Sequence, residues 1–344
     1  MTDIRNVEII APNFKKRLSG VTSTIVQLVP VQHRQGQKIA TLGPGLPENM
    51  PRIRFSDLLS LWTPPKGRKD RVWHARRNIE MLPGILMRDV LRMPLKLLFT
   101  SAAQRKHSAW TRFLIRRMDA VVATSSRSGS FLDVPHTVIN HGIDLQLFHP
   151  DMTELCGNAT GTRLVGCFGR VRHQKGTDLF VRAMVDLLPR YPQWSAIVCG
   201  RVTPEHQAFA NDLKRLVEKN GLTDRIKFMG EVDDIKPWYR RLSLYVAPSR
   251  NEGFGLTPLE AMASQTAVVA SDAGAYAELV NPGKTGLIVP AGDYEALRDA
   301  IEIYLKDSRK TEEDGKAALE WTRAFFDISR EASALADVYE RLLT

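Results

Sequence analysis

Short apolar runs alternate with amphipathic stretches along the first 150 residues. Runs of four to six mostly apolar residues predict strands, and a three-to-four-residue apolar spacing predicts helices. The alternation of strand and helix is typical of a parallel, doubly wound sheet. A helix is predicted over residues 22–36, and strands are predicted over residues 7–11, 38–42, 71–74, 95–100 and 120–124.

The pattern stops in a polar stretch at residues 150–162, interpreted as a linker, and then restarts. Strands are predicted over residues 164–168, 195–199, 226–229, 242–247 and 267–271, and helices over 178–190, 206–220, 294–306, 309–326 and 329–343. The chain is therefore predicted to hold two Rossmann-like domains, 1–150 and 151–325, with a C-terminal helix at 326–344 packing back toward the first. A ligand is expected in a cleft faced by the carboxyl ends of the strands.

The composition fits a globular protein of two domains. The chain has 344 residues, of which 43% are hydrophobic and 25% charged. No run approaches the roughly 18 apolar residues of a spanning helix, and the start MTDIRNVEII lacks the features of a signal peptide, so a cytoplasmic location is predicted. Cys156, Cys167 and Cys199 lack CxxC spacing and are predicted to be buried or idle thiols.

The charge is uneven along the chain. Residues 1–150 hold 23 Lys and Arg against 10 Asp and Glu, whereas the remainder holds 25 against 28. A one-sided basic half indicates an anionic partner, either nucleic acid, an acidic membrane surface or a phosphorylated substrate, or else a solvated surface without a partner. Nucleic acid is not favoured, because zinc-finger spacing, an RRM signature and a basic region before heptads are all missing. The apolar and basic stretch 84–99 is interpreted as a headgroup contact or a core-facing helix.

Two segments of the second half carry candidate chemistry. In SRNEGFGLTPLEAMA (249–263), glycines let the backbone approach a ligand, and Glu252 and Glu260 stand eight residues apart. The alternative is that Thr257 and Glu260 form a capping box. In GRVRHQKG (169–176), Arg170 and Lys175 suit a diphosphate, unless the loop is merely solvated.

Several common motifs are missing from the sequence. GxGxxG, HExxH, GxSxG and DxD are absent, and the histidines lack metal-ligand spacing. Nicotinamide, zinc and serine-hydrolase chemistry are therefore not predicted.

Together with VINHGIDLQLFHP (138–150), FMGEVDDIKPWY (228–239) and NPGKTGLIVPAGD (281–293), these segments resemble the nucleotide-sugar glycosyltransferases of family 4, which have the GT-B fold. The resemblance implies that Arg170 and Lys175 hold the donor diphosphate as it leaves. It places Glu252 near the donor sugar and Glu260 on the ribose hydroxyls. It further implies backbone contacts from Phe254, Gly255 and Leu256, retention of anomeric configuration, and no cofactor or metal.

The first half departs from the family pattern in two places. The glycine pair of the first loop reads Ser19-Gly20, so only Gly20 carries over as a substrate-binding residue. A frequent Thr-x-His reads Thr100-Ser101-Ala102, and the histidine is missing there. His107 is the candidate substitute in substrate binding and His74 a second one, although either also fits a structural role.

Residues 72–78 and 99–125 resemble bacterial lipopolysaccharide core mannosyltransferases. This implies transfer of mannose from GDP-mannose to the inner core, a lipid A–Kdo acceptor held by the basic first domain. It also implies peripheral contact with the anionic inner face of the cytoplasmic membrane. A hexosyltransferase that uses a UDP- or ADP-sugar for capsule or exopolysaccharide is the alternative, and a nucleotide-sugar-binding scaffold is the non-enzymatic one.

Overall fold

A computed structural model describes residues 2–16, 20–151 and 162–344 of the chain. These residues form two compact units. The first unit comprises Met1–Asp144 and Asp327–Thr344, and the second comprises Leu145–Phe326. Ser19, Cys156 and nearly all of the interpreted linker lie outside the described residues.

The first unit contains a parallel sheet of six short strands. These are β1 (Ile9–Pro12), β2 (Ile39–Leu42), β3 (Arg71–Ala75), β4 (Leu95–Ser101), β5 (Ala120–Ala123) and β6 (Thr137–Val138). Their spatial order is β2-β1-β3-β4-β5-β6. The residues of β1 to β5 are almost all buried, as expected for a parallel sheet that is covered on both faces.

Helices cover both faces of this sheet. They are α1 (Gly20–Arg34), α2 (Asn78–Ile85), α3 (Ala109–Ile115), the short α4 (Ser126–Gly129) and the C-terminal helix (Ile328–Leu343). α1 and the C-terminal helix bury Leu28 and Leu335 in one core, whereas α2 and α3 bury Met81 and Leu114 in the other. The C-terminal helix is therefore part of the first unit's core.

The second unit repeats the plan with the strands β7 (Arg163–Phe168), β8 (Trp194–Cys199), β9 (Ile226–Gly230), β10 (Leu244–Ala247), β11 (Ala267–Ser271) and β12 (Gly286–Val289). All are parallel, in the order β12-β11-β10-β7-β8-β9. The helices are α5 (Thr177–Leu187), α6 (Gln207–Lys219), α7 (Lys236–Arg240), α8 (Thr257–Ala263), α9 (Tyr276–Leu279), α10 (Tyr294–Lys306) and α11 (Ser308–Phe325). α5, α6 and α10 share one core, and α8 and α11 pack on β11.

Every predicted strand is confirmed, with ends that shift by at most two residues. The prediction of two doubly wound α/β sheets is likewise confirmed. Cys167 and Cys199 are buried free thiols, and burial raises the pKa of each to about 12. Among the helices of the described ranges, none is both long and apolar enough to cross a membrane.

The interpretation of residues 84–99 as a core-facing helix is wrong. The segment holds the end of α2, a π-helical turn (Leu86–Val90) and most of β4. Met87 and Leu97 are buried, whereas Leu86 and Val90 are exposed. This one segment thus contributes residues to both the core and the surface.

Candidate active site

The candidate site lies at the topological switch point of the second sheet. β7 and β10 are neighbours in the middle of this sheet, and the chain proceeds outward from them in opposite directions. Ligands of doubly wound sheets bind beyond the carboxyl ends of the strands at this point. β7 leads into the basic loop 169–176, and β10 leads into the acidic loop 248–256. The topology therefore brings together two segments that are distant in sequence, since Lys175 and Glu252 are 77 positions apart.

Lys175 and Glu252 form an ion pair between the two loops. The Glu252 carboxylate also accepts hydrogen bonds from the Gly253 N–H at 3.1 Å and the Tyr276 hydroxyl at 3.4 Å. Burial alone would raise the pKa of Glu252, but the Lys175 ammonium and these donors outweigh it and lower the pKa. Glu252 therefore stays ionised at neutral pH beside a cation that is itself partly accessible.

Two glycines let the backbone of these loops approach closely. Gly176 has a φ of +68°, and a Cβ atom there would lie 1.9 Å from the Pro248 carbonyl oxygen. Gly255 has a φ of +83°, and its Cβ would lie 2.3 Å from the ring of Tyr276. A side chain at Gly176 would separate the two loops, and one at Gly255 would displace Tyr276. At both positions the left-handed conformation also disfavours a Cβ atom.

A second ion pair, between Arg250 and Asp178, fixes the relative position of the loops. Arg250 forms two 2.7 Å hydrogen bonds to the carboxylate of Asp178 at the start of α5. The Arg250 guanidinium also donates to the His173 carbonyl oxygen. The backbone N–H of Arg250 donates to the Gln174 carbonyl oxygen. Bidentate geometry makes this a rigid clamp. Neither Arg250 nor Asp178 was predicted, because their partnership is visible only once the two loops are adjacent.

Arg170 and Arg172 contribute further positive charge. Within the described ranges, neither side chain forms a hydrogen bond or an ion pair. Arg170 is exposed, whereas the Nε atom of Arg172 is buried without a partner. Burial lowers the pKa of Arg172, Arg170 lowers it further, and Glu252 acts in the opposite direction. The predicted basic pair is thus a cluster of three cations, and the sequence analysis missed Arg172 although it stands in the same loop.

Glu260 lies on α8, where its carboxylate accepts a 2.7 Å hydrogen bond from the Tyr239 hydroxyl. The capping-box alternative is wrong. Thr257 is the first helical residue of α8, and the N-cap residue is Leu256, whose side chain forms no capping hydrogen bond. Burial raises the pKa of Glu260, against the opposing effects of Tyr239 and Lys175. A carboxylate oriented by tyrosine rather than by its own helix end is available to bind a ligand.

The loop before α8 places Phe254, Gly255 and Leu256 between the two glutamates. Phe254 is buried, and its carbonyl oxygen accepts a hydrogen bond from the Ala275 N–H. The backbone N–H groups of Gly255 and Leu256 donate no hydrogen bond to the described residues. Cations, carboxylates and amide donors thus converge on one strand-end region, a combination that suits a phosphorylated sugar derivative.

Two of the predicted residues, Gly20 and His107, belong to the first unit. Gly20 is the exposed first residue of α1, with no atom near a hypothetical Cβ. His107 is half-buried, and its Nε2 atom lies 3.4 Å from Ser101 Oγ at the carboxyl end of β4. Burial lowers the pKa of His107, and Arg105 adds to the effect. His107 thus lies at the end of β4, which is the strand end at which the family histidine is missing.

His74 instead belongs to the core. Its two ring nitrogens lie 2.8 Å from the Tyr339 hydroxyl and 2.7 Å from Thr100 Oγ1. Burial lowers the pKa of His74 well below its usual value, and the charges of Arg76 and His141 reinforce this. An imidazole that is neutral, fully buried and hydrogen-bonded at both ring nitrogens has a structural role.

A polar network occupies the switch point of the first sheet, after β1 and β3. Arg77 donates to Asn13 at 2.8 Å, to Glu80 at 2.7 Å and to Thr22 at 3.0 Å. The other Glu80 oxygen accepts the Arg76 N–H at 2.8 Å. Arg76 is buried, and its Nη2 atom has no hydrogen-bond partner among the described residues. With Arg71, which is buried and donates to the Val7 carbonyl oxygen at 2.7 Å, at least three of the fifteen cations between residues 66 and 127 thus serve the interior rather than an outer surface.

The side chains of the described ranges offer no metal centre, since no three His, Cys, Asp or Glu residues there cluster suitably. The cations and backbone N–H groups of the two loops are suited to electrostatic catalysis. Preorganised cations and amide donors stabilise a negative charge that develops on a departing group.

Comparison with known proteins assigns the family. The family model for glycosyl transferases group 1 matches residues 156–321. The chain is 67% identical over its whole length to the lipopolysaccharide core biosynthesis mannosyltransferase LpcC of Rhizobium leguminosarum bv. viciae, covering 99% of it. It is 58% identical, over the full length of both, to the enzyme LpsB of the same description from Rhizobium meliloti (strain 1021).

Among solved structures, Anabaena Alr3699/HepE in complex with UDP superimposes with a TM-score of 0.83 at 18% identity, covering 97% of this chain and 100% of the other. This likeness supports the predicted GT-B fold, and the full-length relatives confirm the predicted family. The chain belongs to the group 1 glycosyltransferases, in one family with these rhizobial mannosyltransferases.

Proposed function

We propose that this glycosyltransferase moves mannose from GDP-mannose to the lipid A–Kdo inner core of lipopolysaccharide, with retention of the anomeric configuration. The observation that carries the proposal is the cation cluster at the switch point of the second sheet, in a chain 67% identical to a lipopolysaccharide core mannosyltransferase. The reaction breaks the bond between the mannose C1 and the diphosphate oxygen. It forms a bond from C1 to an acceptor hydroxyl, which releases its proton.

Arg170 and Lys175 bind the diphosphate and neutralise it as it leaves. Arg170 has no ion pair among the described residues, so its charge is available to the ligand. Lys175 is held in place by Glu252 and can share its ammonium protons with a phosphate oxygen. Interactions that strengthen as charge develops on the leaving group lower the barrier rather than merely tightening the ground state.

The two glutamates bind the rest of the donor. Glu252, ionised beside Lys175, accepts hydrogen bonds from hydroxyl groups of the sugar, and the Gly255 and Leu256 amides approach the sugar and diphosphate, together with the Phe254 backbone. Glu260 accepts hydrogen bonds from the ribose hydroxyls while Tyr239 fixes its orientation. No cofactor and no metal take part in this scheme, since the protein's own cations provide the positive charge.

The first unit binds the acceptor at the inner face of the cytoplasmic membrane. Its cationic excess suits the carboxylates and phosphates of an inner-core glycolipid. Gly20 at the start of α1 and His107 at the end of β4 are the proposed substrate-binding residues there.

A donor and acceptor screen tests the proposal. The purified chain is incubated with GDP-mannose, with UDP- and ADP-hexoses, and with a lipid A–Kdo acceptor dispersed in detergent. We expect transfer from GDP-mannose alone, and NMR of the product should show the α configuration of the donor. Transfer from a UDP- or ADP-sugar instead would establish the alternative hexosyltransferase.

Two further outcomes contradict the proposal. A β-linked product would exclude retention. Donor binding without transfer to any acceptor would indicate the scaffold function. The variant Lys175→Ala would then change the donor affinity and no catalytic rate.

A further inference from the structure

Exposed large apolar side chains are concentrated in one part of the first unit. Of the fifteen among the described residues, ten lie between Phe55 and Phe113. Leu59 is 74% exposed and Val90 is 67% exposed. Single exposed apolar residues are common on soluble proteins, but large groups of them mark sites of interaction.

These side chains come from elements that lie side by side. α2 and α3 are joined near their first residues by a 2.7 Å hydrogen bond from Asn78 to Thr111. They are joined near their last residues by a 2.7 Å hydrogen bond from the Arg88 guanidinium to the Arg117 carbonyl oxygen. The indole of Trp62 donates to the Leu91 carbonyl oxygen at 2.8 Å, which attaches the preceding turn to the same end of α2.

These elements bury their inward residues, among them Leu61, Met81 and Leu114, in one core, so their exposed residues lie on the side away from it. Leu82, Leu86 and Val90 recur at a spacing of four along α2 and its π-helical continuation, so they point to the same side. On α3, the rings of Trp110 and Phe113 stack with centroids 5.7 Å apart. We call the exposed group formed by Trp62, Leu82, Leu86, Val90, Trp110 and Phe113 the apolar face.

Positive charge accompanies the apolar face. Arg92 and Arg116 are exposed, as are Arg105 and Lys106, and no side chain in the described ranges pairs with these four. The nearby acids are already neutralised, since Asp89 binds Arg88 and Arg117, and Asp119 binds Arg88. The hydrogen bond from Arg88 is the main cause that lowers the pKa of Asp89 to about 2. The free charge here is therefore positive.

We propose that the apolar face is the surface through which the protein inserts into the headgroup region of an anionic bilayer. Tryptophan and leucine side chains partition into that region, while arginine and lysine around them bind acidic headgroups. A second copy of the chain fits poorly, because it would bring the same unpaired cations to the contact. The inference rests on the proposed function, whose acceptor is a lipid-anchored sugar.

Vesicle sedimentation tests the proposal with two pairs of substitutions. L86S together with V90S removes apolar area, and R92Q together with R116Q removes charge. The matched control is I303S with F325S on the second unit, where the exposed fractions of 45% and 53% are similar to the 47% of Leu86. All three double variants are surface changes, and their melting temperatures verify folding.

On vesicles containing phosphatidylglycerol, the charge variant should bind about 25-fold more weakly at low salt, since each cation contributes about fivefold. The difference should shrink as salt rises, because screening removes it. The apolar variant should lose at least tenfold at every salt concentration, and the control should bind like the wild type. Brominated lipids should quench the fluorescence of Trp62 and Trp110, and W110F should reduce that quenching.

Activity separates this inference from the proposed function. All variants should transfer mannose normally to an acceptor in detergent, and the first two should fail on the acceptor in vesicles. If wild type is inactive in detergent, the proposed function fails whatever the vesicle result. If the apolar and control variants bind vesicles equally, the membrane surface is refuted. A change in dimerisation without a change in vesicle binding would instead make the apolar face an interface between copies.

Discussion

Both sheets are parallel and doubly wound, but they differ in strand order and use their switch points differently. In the second unit, Arg170 has no ion pair within the described ranges, and Lys175 pairs with a carboxylate that remains partly accessible. In the first unit, Arg77 has three side-chain partners, and Glu80 is completely buried. The same strand-end position therefore holds charges available to a ligand in one unit and charges committed to the fold in the other.

The comparison teaches that a cation's neighbours, more than its place in a motif, indicate its function. A charge with saturated hydrogen bonds stabilises the interior, and removing its partner leaves an uncompensated buried ion. A charge that has no partner within the protein is able to form an ion pair with a ligand. Substitutions at the two switch points should consequently separate stability from turnover.

The largest effect is expected at Glu80. The change Glu80→Ala leaves the buried guanidinium of Arg77 without its carboxylate and should lower the free energy of unfolding by about 3–5 kcal/mol. Urea denaturation measures this. The control is Glu312→Ala, which breaks an exposed pair with Arg163 and should cost less than about 1 kcal/mol. Equal losses in the two variants would contradict the structural role of the first switch point.

Next in size is the effect of Arg170→Ala or Lys175→Ala on turnover. Each should lower kcat by about 10²–10³-fold, or about 2–4 kcal/mol, because a contact that strengthens on the leaving diphosphate is lost. Donor affinity, measured by calorimetry, should fall much less. Lys316→Ala, on the exposed side of α11, is the matched control. An unchanged kcat in both variants would exclude the diphosphate role.

Glu260→Gln should weaken donor binding by about tenfold, since an ionised acceptor hydrogen-bonds more strongly than an amide. The pKa of Glu260 is raised by burial, so wild-type affinity should decline as the pH falls through that raised pKa, whereas the variant should not respond. Tyr239→Phe removes a donor that stabilises the ionised form and should move the decline to higher pH. Normal affinity in Glu260→Gln would show that the carboxylate does not bind the ribose.

The last effect, which depends on pH, concerns His74 and the stability of the first unit. Its pKa is lowered in the folded chain, chiefly by burial, so the unfolded chain binds a proton first as pH falls. Stability should therefore decrease below about pH 6.5, by up to about 1.4 kcal/mol per pH unit. The difference from His74→Gln, measured by thermal unfolding between pH 5 and 8, isolates this contribution. A difference that is constant with pH would mean that His74 titrates alike in both states.

Much of the fold and the second unit's candidate site could be predicted from the sequence. Buried parallel strands are nearly continuous apolar runs, so β7 and β10 are visible as local patterns. Arg170, Lys175, Glu252 and Glu260 stand in two segments whose motif spacing is specific to the family. The charge asymmetry between the two halves is also a property of composition alone.

Only the tertiary structure decided which of these groups are free. Spacing could not tell whether Glu260 caps its helix, because the alternative partner, Tyr239, is 21 residues away in sequence. Nor could it separate the buried Arg76 from the exposed Arg116, since burial depends on packing between elements that are distant along the chain. Local patterns determine secondary structure through backbone geometry and apolar periodicity. Ion pairing, pKa and exposure depend on which segments become neighbours in space, and so they appear only in the folded chain.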